Sequence, residues 1–123
     1  MNTAMDCEDV PGKETGRLLV LESGKEPVLI TDGMTVAEDG SLFIAHWGGH
    51  AIRRYDPVTG EELAVYELPV PIPTCCAFGG RDMDELYITT SSLDSPEEEY
   101  PLAGSVLVIK PGVKGIRPYR FKL

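Results

Sequence analysis

Apolar residues in this chain come in short β-branched and aromatic runs, each closed by a turn, and almost nowhere at helical spacing over ten residues. The runs fall at residues 17–21, 27–30, 34–37, 42–45, 51–55, 63–68, 74–78, 85–90, 105–110 and 116–121. Thirteen glycines and ten prolines punctuate them, in turns such as Ser23-Gly24, Asp39-Gly40 and Thr59-Gly60. Ten short strands joined by tight turns predict an all-β antiparallel meander. The only helical element expected is a single turn within residues 91–104.

An internal repeat sharpens this reading. Residues 32–46 align without a gap on residues 76–90, so that Leu42, Phe43 and Ile44 fall on Leu86, Tyr87 and Ile88. Arg54-Tyr55-Asp56-Pro57 then matches Val108-Ile109-Lys110-Pro111, with residues 91–104 as the added segment. Upstream, Ser23-Gly24-Lys25-Glu26 matches Thr59-Gly60-Glu61-Glu62. A period of ~40–50 residues with four strands each is the pattern of β-propeller blades. The chain reads as outer strands of one blade at 15–31, a full blade at 32–72 and a second at 73–123. That makes about two and a half blades, fewer than the ~4–8 of a closed ring.

Composition narrows the function classes. The 123 residues carry a formal net charge of −9, which argues against general nucleic-acid binding. No apolar run approaches the ~18 residues a membrane helix needs. Residues 1–14 are acidic, lack the pattern of a secretion signal, and are expected to be a disordered leader. A cytoplasmic setting with reduced thiols is the expectation for Cys7, Cys75 and Cys76, which form neither a disulfide framework nor a metal-finger pattern. After Glu99 there is no acid but five bases: Lys110, Lys114, Arg117, Arg120 and Lys122. The rest holds twenty acids against six bases, net −14. This reads as a solvated basic tail on an acidic body.

The ordered set Asp32-Gly33-Met34, Trp47-Gly48-Gly49, Arg54-Tyr55-Asp56-Pro57, Pro73-Thr74-Cys75-Cys76-Ala77-Phe78-Gly79-Gly80 and Pro111-Gly112-Val113-Lys114-Gly115 resembles the C-terminal part of the SMP-30/gluconolactonase/regucalcin family. The resemblance runs from about Thr15 to Leu123. It implies a partial six-bladed β-propeller, in agreement with the repeat. It also implies one divalent cation (Ca, Zn, Mn or Mg) at the channel mouth and hydrolysis of a sugar lactone; some members are described as calcium-binding regulators. The family's metal ligands are a Glu, an Asn and an Asp that begins an inner strand. Asp32 matches the Asp, while the Glu and Asn have no counterpart in these residues.

Asp32 is therefore the candidate metal ligand and catalytic residue. A carboxylate suits a hard cation, and it can accept a proton from attacking water. Read without the resemblance, Asp32 is an Asp-Gly turn residue. His46-Trp47-Gly48-Gly49-His50 joins two strands on the same end of the blade as Asp32, as does segment 91–104. His46 and Trp47 are candidates for the substrate side. The alternatives are a polar loop packed by Trp47, or zinc held by His46 and His50, whose Gly-Gly spacer builds in no convergence. Asp94, Glu97, Glu98 and Glu99 form either a solvated acidic loop or a cation-gathering one. Cys75 and Cys76 read as core thiols, since no base partner for a nucleophile is identified. The ending Phe121-Lys122-Leu123 only faintly resembles a peroxisomal address.

Two functions remain open at this stage. One is the C-terminal portion of a metal-dependent sugar-lactone hydrolase with little activity alone. The other is a non-catalytic truncated propeller acting as a calcium-binding or interaction module. Neither calls for nucleic acid or membrane. Self-association through open blade edges is expected, with the run at 17–21 presenting unpaired backbone.

Overall fold

The computed structural model describes residues 19–20, 28–29 and 32–122. The acidic leader and Cys7 lie outside the described residues, and only two positions of each of the first two expected strands lie inside them. Nine strands follow in order: β1 (Leu19–Val20), β2 (Val28–Leu29), β3 (Met34–Val36), β4 (Leu42–His46), β5 (Ala51–Tyr55), β6 (Glu62–Glu67), β7 (Pro73–Gly79), β8 (Glu85–Thr90) and β9 (Val106–Ile109). They form a two-stranded sheet β1-β2, a four-stranded sheet β3-β4-β5-β6 and a three-stranded sheet β7-β8-β9. Every pairing is antiparallel between consecutive strands. The fold is all-β, a partial propeller of up-and-down sheets. Among the described residues no helix is long and apolar enough to cross a membrane.

The turn chemistry explains the registers. At the β3–β4 turn, Asp39 Oδ1 accepts from the Ser41 N–H at 2.9 Å, and Gly40 takes φ of 87°. That left-handed conformation carries little strain for glycine. At the β5–β6 turn, Asp56 Oδ1 accepts from the N–H groups of Val58 and Thr59, and the Gly60 N–H closes back on the Asp56 carbonyl at 2.8 Å. Adjacent Arg53 and Arg54 point to opposite faces of the sheet. Each finds its own carboxylate, Glu62 for Arg53 and Asp39 for Arg54.

The core lies between the two larger sheets. Phe43, Ala45, Ile52, Leu68 and Val70 from the four-stranded side meet Cys76, Leu86 and Ile88 from the other. Phe43 sits at the centre, stacked on Tyr66 with centroids 5.7 Å apart and edge-on to Phe78 at 5.2 Å. Ile44 faces the other way, with Leu42 and Tyr55. Phe43, Ile44 and Ala45 are thus all fully buried, because β4 has packing on both sides. Backbone bonds also join the sheets at both ends. Gly33 donates to Thr74 O at 2.7 Å at one end, and Glu38 donates to Lys114 O at 2.8 Å at the other.

Two expectations are corrected. Residues 116–121 form no strand. The preceding connection is drawn off the sheet: Gly115 bridges Ala37 and donates to Met83 O at 2.8 Å. Arg117 then donates to the Arg81 carbonyl at 2.5 Å. This leads the segment across the β7–β8 turn, away from β9, and Pro118 has no N–H to give a ladder. Within 91–104 there are consecutive turns and no helix; the Tyr100 N–H reaches Pro96 O at 2.7 Å, but the pattern does not propagate.

Candidate functional site

Strand polarity brings four connections to one end of the two larger sheets: the entry to β3, the β4–β5 loop, the β6–β7 link and the β8–β9 segment. Backbone bonds tie them together. The Asp32 N–H donates to Ala45 O at 3.0 Å, and the Ala45 N–H donates to Gly33 O at 2.8 Å. Two residues thus face one partner, which frees the Gly33 N–H to cross to Thr74 on β7. The approach is close enough to demand glycine: a Cβ on Gly33 would stand 2.4 Å from Cys75 Sγ and 2.7 Å from its Cα. Farther out, the His50 N–H donates to Pro71 O at 3.2 Å, and the Ser91 N–H donates to Ile72 O at 2.9 Å.

Asp32 stands on this frame, its backbone held by β4 and its neighbour Gly33 held by β7. Partial burial pushes its carboxyl above the ordinary aspartate range, because desolvation disfavours the charged form. Because Asp32 and Gly33 both face Ala45, Asp32 stands at the end of β4 that carries His46.

His46 is firmly positioned. Its Nδ1 accepts a hydrogen bond from Arg53 Nε at 2.9 Å, and Arg53 is in turn paired with Glu62 at 2.5 Å. An imidazole that accepts at Nδ1 is neutral with its proton on Nε2. Burial, then the Arg53 charge, lowers its proton affinity, while Glu62 opposes them. The loop closes tightly over the ring: a Cβ on Gly49 would lie 2.4 Å from Nδ1. His50 takes a positive φ of 56° and lays its ring 5.8 Å from Tyr100. Trp47 is half exposed.

The structure therefore gathers Asp32, His46, Trp47 and His50 at one end, and the contact of His50 with Tyr100 brings the acidic segment there too. It does not bring His46 and His50 into a shared ligand set. Among the described residues no three His, Cys, Asp or Glu side chains are arranged to hold a metal ion. Glu97, Glu98 and Glu99 are exposed. Cys76 is buried, its thiol pushed up to about 12 chiefly by desolvation, which leaves no thiolate for nucleophilic work. Cys75 is exposed on the opposite face of β7.

Sequence reasoning overlooked Arg53, Glu62 and Tyr100. Arg53 carried one legible signal, as one of two adjacent charges inside a short strand. Tyr100 carried none, because its contact depends on how 91–104 folds back.

Comparison with known proteins gives a consistent family. The model of the SMP-30/gluconolactonase/LRE-like region matches residues 2–92. Regucalcin of Gallus gallus is 40% identical over 96% of this chain and 40% of its own length. Regucalcin of Homo sapiens is 37% identical over the same shares. Among solved structures, the calcium-binding protein regucalcin of Agrobacterium tumefaciens superposes with a TM-score of 0.70 at 26% identity, covering 87% of this chain and 42% of that one. A luciferin-regenerating enzyme superposes with a TM-score of 0.62 at 29% identity, covering 80% and 38%. The chain spans about two-fifths of the relatives it matches.

Proposed function

From the premise that this chain belongs to the SMP-30/gluconolactonase/LRE-like family, we propose that it is a portion of a cytoplasmic, metal-dependent sugar-lactone hydrolase. Asp32 is the carboxylate it contributes to a divalent-cation site. The cation, when bound, would polarise the lactone carbonyl. The chain's own residues orient: the bonds of Asp32 to Ala45 and of Gly33 to Thr74 hold the carboxylate at the common end. His46, kept neutral by Arg53, offers an Nε2 proton to an oxygen acceptor beside it. Trp47 provides an apolar surface at the rim. The observation that carries this reading is the Asp32 carboxyl, exposed at the common end on a backbone held by β4 with its neighbour Gly33 held by β7.

A second reading is a calcium-binding module without catalysis. The description of the Agrobacterium tumefaciens relative as a calcium-binding protein favours it.

Calorimetry with calcium, manganese and zinc, on the parent and on Asp32→Asn, tests the shared premise. Binding that the substitution leaves unchanged removes Asp32 from either reading. Lactone hydrolysis followed by proton release, with the same metals, separates the two: turnover that Asp32→Asn abolishes supports the hydrolase, and binding without turnover supports the module.

A further inference from the structure

At the common end, the β6–β7 link holds two connections side by side. Its Pro71 carbonyl accepts from the His50 N–H at 3.2 Å, and its Ile72 carbonyl accepts from the Ser91 N–H at 2.9 Å. Adjacent carbonyls thus set the β4–β5 loop against the segment 91–104. Thr90 closes the neck of that segment, its hydroxyl donating to Ser105 O at 2.6 Å and accepting from the Gly104 N–H at 3.0 Å. A surface segment of this size whose ends meet is an Ω-loop, a form that frequently carries function. It delivers Tyr100 to His50, with ring centroids 5.8 Å apart and the planes at 59°. Neither residue belongs to the buried core.

His50 is strained where it stands. Its φ of 56° lies in the left-handed region, which favours glycine over any residue with a side chain. The two preceding glycines each answer a local need: Gly48 takes φ of 76°, and a Cβ on Gly49 would strike the His46 ring. Position 50 makes the same backbone demand as position 48 and yet carries an imidazole. Nor is the backbone free to relax, because the Leu68 N–H donates to the His50 carbonyl at 2.7 Å while the His50 N–H is held by Pro71. Strain that the surroundings enforce at a loop position points to a use for the side chain.

We infer that His50 and Tyr100 form a sugar-contacting pair at the rim, binding the hydroxyl-bearing ring of a neutral lactone away from its carbonyl. The ring face of Tyr100 suits the C–H groups of a sugar, and the imidazole and phenol supply hydrogen bonds to its hydroxyls. A small number of polar groups set on aromatic surface is how such ligands are oriented. Neutrality follows from the neighbouring charge. Desolvation and then Glu99 raise the pKa of the Tyr100 hydroxyl, and a carboxylate on the ligand would meet that same negative charge. The pair deepens the lactone reading and rests on it for the reaction. Its ring contacts call for neither the cation nor the carbonyl, so they are measured apart from Asp32.

The test uses the full chain, treated with chelator, and methyl β-glucopyranoside, a sugar ring with its hydroxyls and no lactone carbonyl. Saturation-transfer NMR on the glycoside protons reads contact, and Trp47, the one tryptophan of the chain, reads affinity through its emission. Saturable binding in the millimolar range is expected, and weaker binding of the anionic methyl β-glucopyranosiduronate. Tyr100→Ala, His50→Gly and His50→Asn should each weaken glycoside binding about tenfold. Glycine and asparagine are both at ease in the left-handed backbone, so the two His50 variants should keep or raise the urea midpoint while losing affinity. A histidine retained for packing alone would lower the midpoint and leave affinity unchanged, which overturns the inference. So does the absence of saturation transfer to the glycoside, or equal affinity for the glycoside and the uronide. Calorimetry with metals on Asp32→Asn decides the lactone reading separately: metal binding unchanged in that variant removes Asp32 and leaves a glycoside effect at His50 and Tyr100 standing.

Discussion

Gly33→Ala isolates the contact that sets Asp32 in place. The added methyl would lie 2.4 Å from Cys75 Sγ, 2.6 Å from its Cβ and 2.7 Å from its Cα. The last atom is backbone, so no rotamer of Cys75 relieves the overlap, and β3 must move away from β7. Such overpacking costs about 1–3 kcal/mol. The displacement also lengthens the 2.7 Å bond from Gly33 to Thr74 O, worth about 0.5–1.5 kcal/mol. The expected loss is therefore about 2–4 kcal/mol, a large share of the ~5–15 kcal/mol that holds a domain folded. In urea, with a slope of ~1–3 kcal/mol per molar, the midpoint should fall by about 1–2 M. Circular dichroism at constant pH reads it. Cys75→Ala in the same chain should recover little, since the Cβ remains; Cys75→Gly should recover more. A Gly33→Ala midpoint equal to the parent's would refute the reasoning, as would full rescue by Cys75→Ala.

Other outcomes follow from the same geometry. His46 has a lowered proton affinity in the fold, so the unfolded chain binds more protons; its contribution is intact above about pH 6.5 and is lost as pH falls toward the folded value. The fall in Tm between pH 7.5 and 5.5 should be smaller in His46→Gln, whose amide oxygen can still accept from Arg53. Asp32 has a raised carboxyl pKa, and a cation must displace its proton. Apparent metal affinity should therefore rise with pH through that value and level off above it, which calorimetry at stepped pH would show. Alkylation at pH 8 followed by peptide mapping should modify Cys75 and spare Cys76, whose thiol titrates near 12; equal labelling would mean that the strand opens. Phe43→Ala should cost about 3–5 kcal/mol by denaturation, because it empties the centre of the core.

The strand runs and the repeat were legible because a sheet has period two and a propeller blade repeats its turns; both are local or nearly local patterns. Nine of the ten expected runs contain a strand. The tenth, at 116–121, failed for a non-local reason: Gly115 is claimed by Ala37 and Met83, and no pattern within 116–121 encodes that. At the candidate site the same division holds. Asp32 was nominated from its short motif and the family resemblance. The neutral state of His46 was not, since it depends on Arg53 reaching across from the next strand. Nor was the need for glycine at position 33, which is set by a cysteine more than forty residues away. Residue order determined which segments extend, where they turn and which faces are apolar, because those follow from side-chain type and spacing. Tertiary packing decided where the segment after Gly115 runs and which groups meet at the mouth, because each depends on contacts between segments distant in the chain.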